Sequence, residues 1–382
     1  MIRSLLAGVV LAITGSVALA QPAKPPASGK YWAFFGGYTG GNTGGKGIYR
    51  SELDVKTGKL TDPELAVEVG SPSFFTIDPS GKFLYAIGES GGGKDGGGVY
   101  AFSIDAPTGK LTKLNQLTSG GNGPCHISTD KSGKFAIVAN YGGGSCAVFK
   151  IKDDGSLDAR TCFVQHKGKS VDKSRQGEPH AHCGFFDETG NYAFVADLGL
   201  DQVLVYKLNC ETGEITPHTT PFIKLPDGAG PRHFHIAPSN DLMFVCGELN
   251  STANVVKMDI PHGKFEVTQS LSTLPKPTPG NSTAECRIHP SGKFVYVSNR
   301  VGDSIAAFKN DNGKLTAIGH ATEGIKIPRN FAIEPTGEWM LVANQDGNSV
   351  VVFQIGDDGL PKPTGNKISV PKPVCVKFLA KP

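Results

Sequence analysis

The chain has 382 residues, with 50 glycines, 26 prolines, only 19% charged residues and a formal net charge of +3. Its charges are interspersed, so there is no basic stripe, and nucleic acid is excluded as a partner. Glycine and proline separate β-branched and aromatic runs, and nothing in the body reads as a long amphipathic helix. Many short strands joined by turns are expected.

In chain order, Arg3 precedes the apolar run LLAGVVLAITGSVALA, which ends in Ala18-Leu19-Ala20. A charged start, a short hydrophobic stretch and small residues at the end predict a secretory signal peptide over residues 1–20. The run falls a little short of the roughly 20 residues a membrane span prefers. Export to the periplasm or the exterior is therefore expected, without stable membrane association after cleavage. Residues 21–29 read as a disordered lead-in, and residues 30–382 as a single domain. The eight cysteines have no CxxC spacing, and several sit in apolar strand runs, so mostly free thiols are expected.

Internal repetition dominates the rest. One turn recurs as DPSGKFLYAIGE (78–89), DKSGKFAIVANY (130–141), DETGNYAFVADL (187–198), APSNDLMFVCGE (237–248), HPSGKFVYVSNR (289–300) and EPTGEWMLVANQ (334–345). A second turn sets glycine at 58, 109, 155, 213, 263, 313 and 359, a spacing of about 50 residues. Four-stranded antiparallel units at this period predict an all-β, seven-bladed β-propeller. The first copy opens on a second strand, and the C-terminal PVCVKFL (373–379) has no blade of its own. That segment is expected to supply the missing inner strand and close the ring, which hides both sheet edges.

Antiparallel pairing puts the start of each innermost strand and the end of the second on one face of the ring. Unusual residues pool there. After the prolines at 72, 124, 179, 231 and 328 stand Ser73, Cys125, His180, Arg232 and Arg329, with His126, His182 and His233 close behind. The second strands end at Glu89, Asn140, Asp197, Glu248, Asn299 with Arg300, and Asn344. Recurring asparagines suit ties to the backbone, although Asn299, beside Arg300, also enters the candidate substrate-binding set. His180, Arg232, Glu248 and Arg300 break the repeat and are the candidate functional residues. The HAH (180–182) and HFH (233–235) pairs differ in parity, so convergence on one metal ion would need a bulge; no metal or cofactor is expected. GGNTGGKG (40–47) and GGGKDGGG (91–98) each precede a strand, unlike a phosphate-binding loop.

PHAH, DLGLDQV, GAGPRHF, ELNST, SNRVGDSI, PRNFAIEPTG and VANQDGNSVVVF occur in order, within a match spanning about residues 31–379. Together they resemble the blade motifs of the seven-bladed propeller lactonase family, which includes bacterial 6-phosphogluconolactonases and a fungal carboxy-muconate lactonising enzyme. The resemblance implies that His180, Arg232, Glu248 and Arg300 match the family's active-site positions. The resulting expectation is an exported, monomeric hydrolase of a small anionic sugar-type lactone. Glu248 or His180 would act as general base. Arg232 and Arg300 would grip the anion or the oxyanion, and His126, His182, His233 and Arg329 would line the pocket. Two alternatives stay open: a muconate-type cycloisomerase, and a non-catalytic propeller that binds glycan or protein.

Overall fold

The computed structural model describes residues 23–89 and 97–382; the expected signal peptide and residues 91–96 of GGGKDGGG lie outside the described residues. Seven four-stranded antiparallel sheets form the ring. Pro373–Ala380 is the innermost strand of the first blade, beside Lys30–Gly37, Gly47–Asp54 and Glu64–Glu68. It pairs along Lys30–Gly37 from Tyr31↔Ala380 to Gly37↔Pro373. The chain therefore closes its ring with its own C-terminal strand, as the orphan segment predicted.

Apolar burial is greatest in the second strands and falls off toward the rim. Second strands such as Phe135–Asn140, Leu242–Gly247 and Trp339–Asn344 are buried throughout, because a neighbouring blade covers each face. Outermost strands such as Lys110–Thr118 alternate exposed and covered residues, with lysine, threonine and glutamine facing water. The seven turn glycines from Gly58 to Gly359 all have positive φ, between 64° and 85°. Two demands meet there. A Cβ at Gly155 or Gly359 would come within 2.2 Å of the ring of Phe83 or Phe294 on the preceding blade. The same turns accept blade-to-blade hydrogen bonds, from the Tyr85 hydroxyl to the Gly155 carbonyl (2.9 Å) and from Tyr296 to Gly359 (2.7 Å).

The innermost strands are not regular. A register shift recurs at their starts, between Pro124 and His126, Ala181 and Cys183, Pro231 and Phe234, Thr283 and Cys286, and Pro328 and Asn330. It recurs in the closing strand, opposite Gly36 and Gly37. A bulge sets two residues against one and re-aims the extra side chain. Six blades of the ring thus turn a side chain inward at the same height.

Residues 23–29, read from the sequence as part of a disordered lead-in, instead lie along the propeller. The Ala23 N–H donates to the Pro335 carbonyl at 2.9 Å, and the Ser28 hydroxyl to the Lys381 carbonyl at 2.6 Å. Backbone groups near the closing strand gave this polar segment partners that its composition did not advertise. All eight cysteines are free thiols.

Candidate active site

Each second strand hands over to the next strand through a residue whose N–H bonds back to the start of the innermost strand. For Glu248 the acceptor is Gly230 (2.8 Å), and for Arg300 it is Ser282 (2.9 Å). That bond sets Glu248 above Arg232 and faces it with Arg300 from the next blade. The Glu248 carboxylate meets three guanidiniums: Arg175 at 2.9 Å on Oε1, and Arg232 at 2.9 Å and Arg300 at 3.0 Å on Oε2. Burial opposes ionisation of this side chain, but Arg300, Arg232 and Arg175 outweigh it and hold Glu248 down at about 2. Arg232 is itself buried, and one of its terminal nitrogens donates to the Ala284 carbonyl at 2.5 Å.

These groups border an open cavity of ≈ 380 Å³ at the channel mouth, lined by Glu89, Asn122, Cys125, Tyr141, Arg175, His182, Glu248, Arg300 and Arg329 among others. Beneath it a second hollow of ≈ 10 Å³, about the space one water needs, is lined by Ser73, Phe74, Arg232 and His233. The two share Glu89, Cys125, His182 and Arg329. Five bulge residues (Cys125, His182, Arg232, His233 and Arg329) therefore reach the mouth or the hollow. Among the described residues Arg329 forms no ion pair; its guanidinium lies over the Tyr38 ring at 5.8 Å.

A layer of rings forms the floor. His233 lies 5.3 Å from His126 and 5.2 Å from His182, and Phe74 stacks on His126 at 4.2 Å. Burial, reinforced by nearby cations, drives His182 and His126 well below the ordinary imidazole value, so both are neutral. Burial lowers His233 to about 4, although Glu285 pulls the other way. The Glu285 carboxylate faces His233 Nδ1 at 3.0 Å, and His233 Nε2 is buried with no hydrogen-bond partner. Glu285 is fixed in turn by the Asn330 amide and the Cys286 N–H. The Cys125 thiol is pushed up by burial, which removes it as a thiolate nucleophile.

The structure brings together Arg232, Glu248, Arg300, Arg329, His126, His182 and His233. It does not bring in His180 or Asn299. His180 stacks on Tyr141 at 4.6 Å, with Nδ1 on the Tyr141 carbonyl at 3.0 Å, and its ring is not among the cavity linings. Asn299 is fully buried, bonded to Thr273 and Ser304. Asn140 and Asn344 make the same serine bond in their own blades. These asparagines stand one residue before the position of Glu248 and Arg300, and a one-residue step in a strand turns the side chain to the other face. The bulges that convergence of the HxH pairs would need are present. They gather His182 and His233, while His235 Nδ1 accepts the Ile288 N–H at 3.0 Å. Among the described residues no group of three or more potential ligands is placed to hold a metal ion.

Three contributors were missed. Arg175 lies in the long connection between the third and fourth blades, outside the repeat, where Leu198 leaves the Glu248-equivalent position apolar. Its signal was an arginine in an insertion pinned by Asp172, which accepts the N–H of Ser174 and of Arg175. Tyr141, whose hydroxyl bonds Arg175 at 3.1 Å, occupies the Glu248-equivalent position of its own blade. Glu285 was legible only as an acid inside the innermost strand Thr283–Ile288, two residues before Arg287.

Residues 32–378 match the family model described as lactonase, 7-bladed beta-propeller. The chain is 34% identical over 359 residues to a 6-phosphogluconolactonase of Bacillus subtilis, covering 92% of this chain and 99% of that protein. The crystal structure of a Bacteroides fragilis protein superposes with a TM-score of 0.85 at 33% identity, covering 93% of this chain and all of that one. A periplasmic gluconolactonase of Pseudomonas aeruginosa superposes with a TM-score of 0.87 at 27% identity, over 92% of this chain and 100% of its own. With the ring, its closure and this match over nearly every blade in agreement, the chain belongs to the seven-bladed β-propeller lactonase family.

Proposed function

We propose that the protein hydrolyses a small anionic sugar-type lactone at this mouth. The observation that carries the reading is charge: among the described residues four arginines (Arg175, Arg232, Arg300, Arg329) face two glutamates (Glu89, Glu248) around this cavity and the hollow beneath it. The surplus positive charge, with Arg329 in no ion pair among the described residues, suits a phosphate or carboxylate on the substrate. Likeness to a 6-phosphogluconolactonase and to a gluconolactonase supports a sugar lactone.

Hydrolysis needs a water that loses a proton as it attacks the carbonyl carbon. The ring C–O bond then breaks, and that proton ends on the departing alkoxide. Glu248, near 2 and shared among three arginines, is a feeble base; its role is to hold the forks of Arg232 and Arg300 in place. His233 fits better. Glu285 fixes its Nδ1–H, leaving Nε2 a free acceptor beside a hollow of one-water size. The arginines steady the oxyanion.

On this reading kcat/KM is higher for 6-phosphoglucono-δ-lactone than for glucono-δ-lactone. Arg329→Ala should raise KM for the phosphorylated substrate by about 10–100-fold, the worth of one charge-assisted hydrogen bond, with a smaller effect on the neutral one. Steady-state kinetics on both lactones check it, and equal KM changes would remove the anion-binding role.

Export belongs to the same proposal. Its support is the Arg3 start, the apolar run and the Ala18-Leu19-Ala20 end. Mature protein from the native host should begin at Gln21; N-terminal mass spectrometry finding Met1 on a soluble cytoplasmic form would overturn it.

A further inference from the structure

The ring has a second mouth. Innermost strands start at the lactone cavity and end at the opposite face, where another cavity of ≈ 330 Å³ opens. Its polar groups are His235, Arg287, His289 and Lys377, and Ile288, Ile333 and Phe378 are among its mainly apolar walls. The Phe74, His126 and His233 rings lie between the two mouths, with centroids 4.2–5.5 Å apart, so the cavities are separate.

Two cations meet there with little to balance them. Among the described residues the Lys377 ammonium has no hydrogen bond or ion pair; it lies 4.8 Å from the Phe74 ring. Arg287 has one ion contact, Nε to Glu285 at 3.3 Å, and that nitrogen makes no aligned hydrogen bond. Glu285 is already held by His233 and Asn330. Burial, and then the Arg287 charge beside it, push Lys377 down to about 8. Both side chains are only part-buried at the cavity wall, open to an entering anion, and arginine, lysine and one glutamate leave a net single positive charge.

We propose that this second mouth binds a small organic monoanion, a carboxylate with an apolar body. The carboxylate bridges Arg287 and Lys377, and the body lies on the Ile288, Ile333 and Phe378 walls. One net positive charge calls for a monoanion, and the apolar walls favour such a body over a bare inorganic ion.

The test is calorimetric titration of the intact protein with benzoate, with inorganic phosphate in parallel. Benzoate should bind at one equivalent per chain and more tightly than phosphate. Affinity should fall about tenfold between pH 7 and pH 9.5, as Lys377 loses its proton. Lys377→Met, which keeps the stem over Phe74, should weaken binding about tenfold or more, and Arg329→Ala at the other mouth should leave it unchanged. Arg287→Gln carries the same expectation as Lys377→Met should the latter fail to fold, and the pH dependence needs no variant. No saturable binding, affinity flat with pH, or binding lost in Arg329→Ala would each overturn the proposal. The last would return benzoate to the lactone cavity without touching the hydrolase reading.

Discussion

Truncation after Pro371 should yield a chain with no cooperative unfolding transition. The missing strand buries Val374, Cys375 and Val376 almost completely, and the Val376 N–H donates to Asn330 Oδ1 on the last blade at 2.9 Å. Two buried valines alone represent about 1.5–3 kcal/mol each. The strand's removal also strips the inner face from Phe34 and Phe35, fully buried side chains of Lys30–Gly37, and opens that ladder to solvent. The combined loss is of the order of the whole stability of a domain, about 5–15 kcal/mol. The edge of Lys30–Gly37 is then bare and the flanking blades lose a packed face, so aggregation should follow. A circular-dichroism melt of the truncated chain would check this; a transition like that of the full chain would show that closure is dispensable.

The fold was legible because its signals are local and repeated. A glycine needed at positive φ against the neighbouring blade, as at Gly155 and Gly359, must recur wherever blades pack alike. Pro373–Ala380 announced itself by having no blade. The height of the site was legible too, since antiparallel pairing alone sets Arg232 and Glu248 on one face. Direction was not. Whether Asn299 or Arg300 faces the cavity depends on one residue of register, and whether His182 and His233 converge depends on bulges that a parity count cannot contain. His180 failed for the same reason: the bulge turned His182 inward and left His180 against Tyr141. Arg175 was hidden because an insertion carries no repeat to compare with. Glu285 acts through His233, a partnership between blades that sequence neighbours do not display.

His233→Asn should lower kcat by about 10²–10⁴-fold, the usual worth of a general base, while His180→Asn leaves kcat close to that of the parent. The sharper discriminator is pH. As a base His233 works only when neutral, so kcat/KM should hold at neutral pH and fall as the pH drops through about 4. Were Glu248 the base, the rate would persist down to about 2. Glu285→Gln should move the acid limb lower still, because the carboxylate is what draws the imidazole's value up. A residue that merely packed against His233 would not shift that limb. Glu248→Gln is expected to act differently. It leaves three arginines around a neutral amide, costing about 3–5 kcal/mol of stability as for any broken buried pair, and it raises KM as the forks of Arg232 and Arg300 lose their anchor. The stability of the parent, which keeps the Glu248 carboxyl, also depends on pH. A carboxyl held near 2 rather than 4.5 stabilises the fold above about 4.5, and that contribution drains away as the pH falls toward 2. Rates must therefore be read against melts at each pH. An acid limb near 2, with kcat intact in His233→Asn and collapsed in a folded Glu248→Gln, would transfer the base from the histidine to the glutamate.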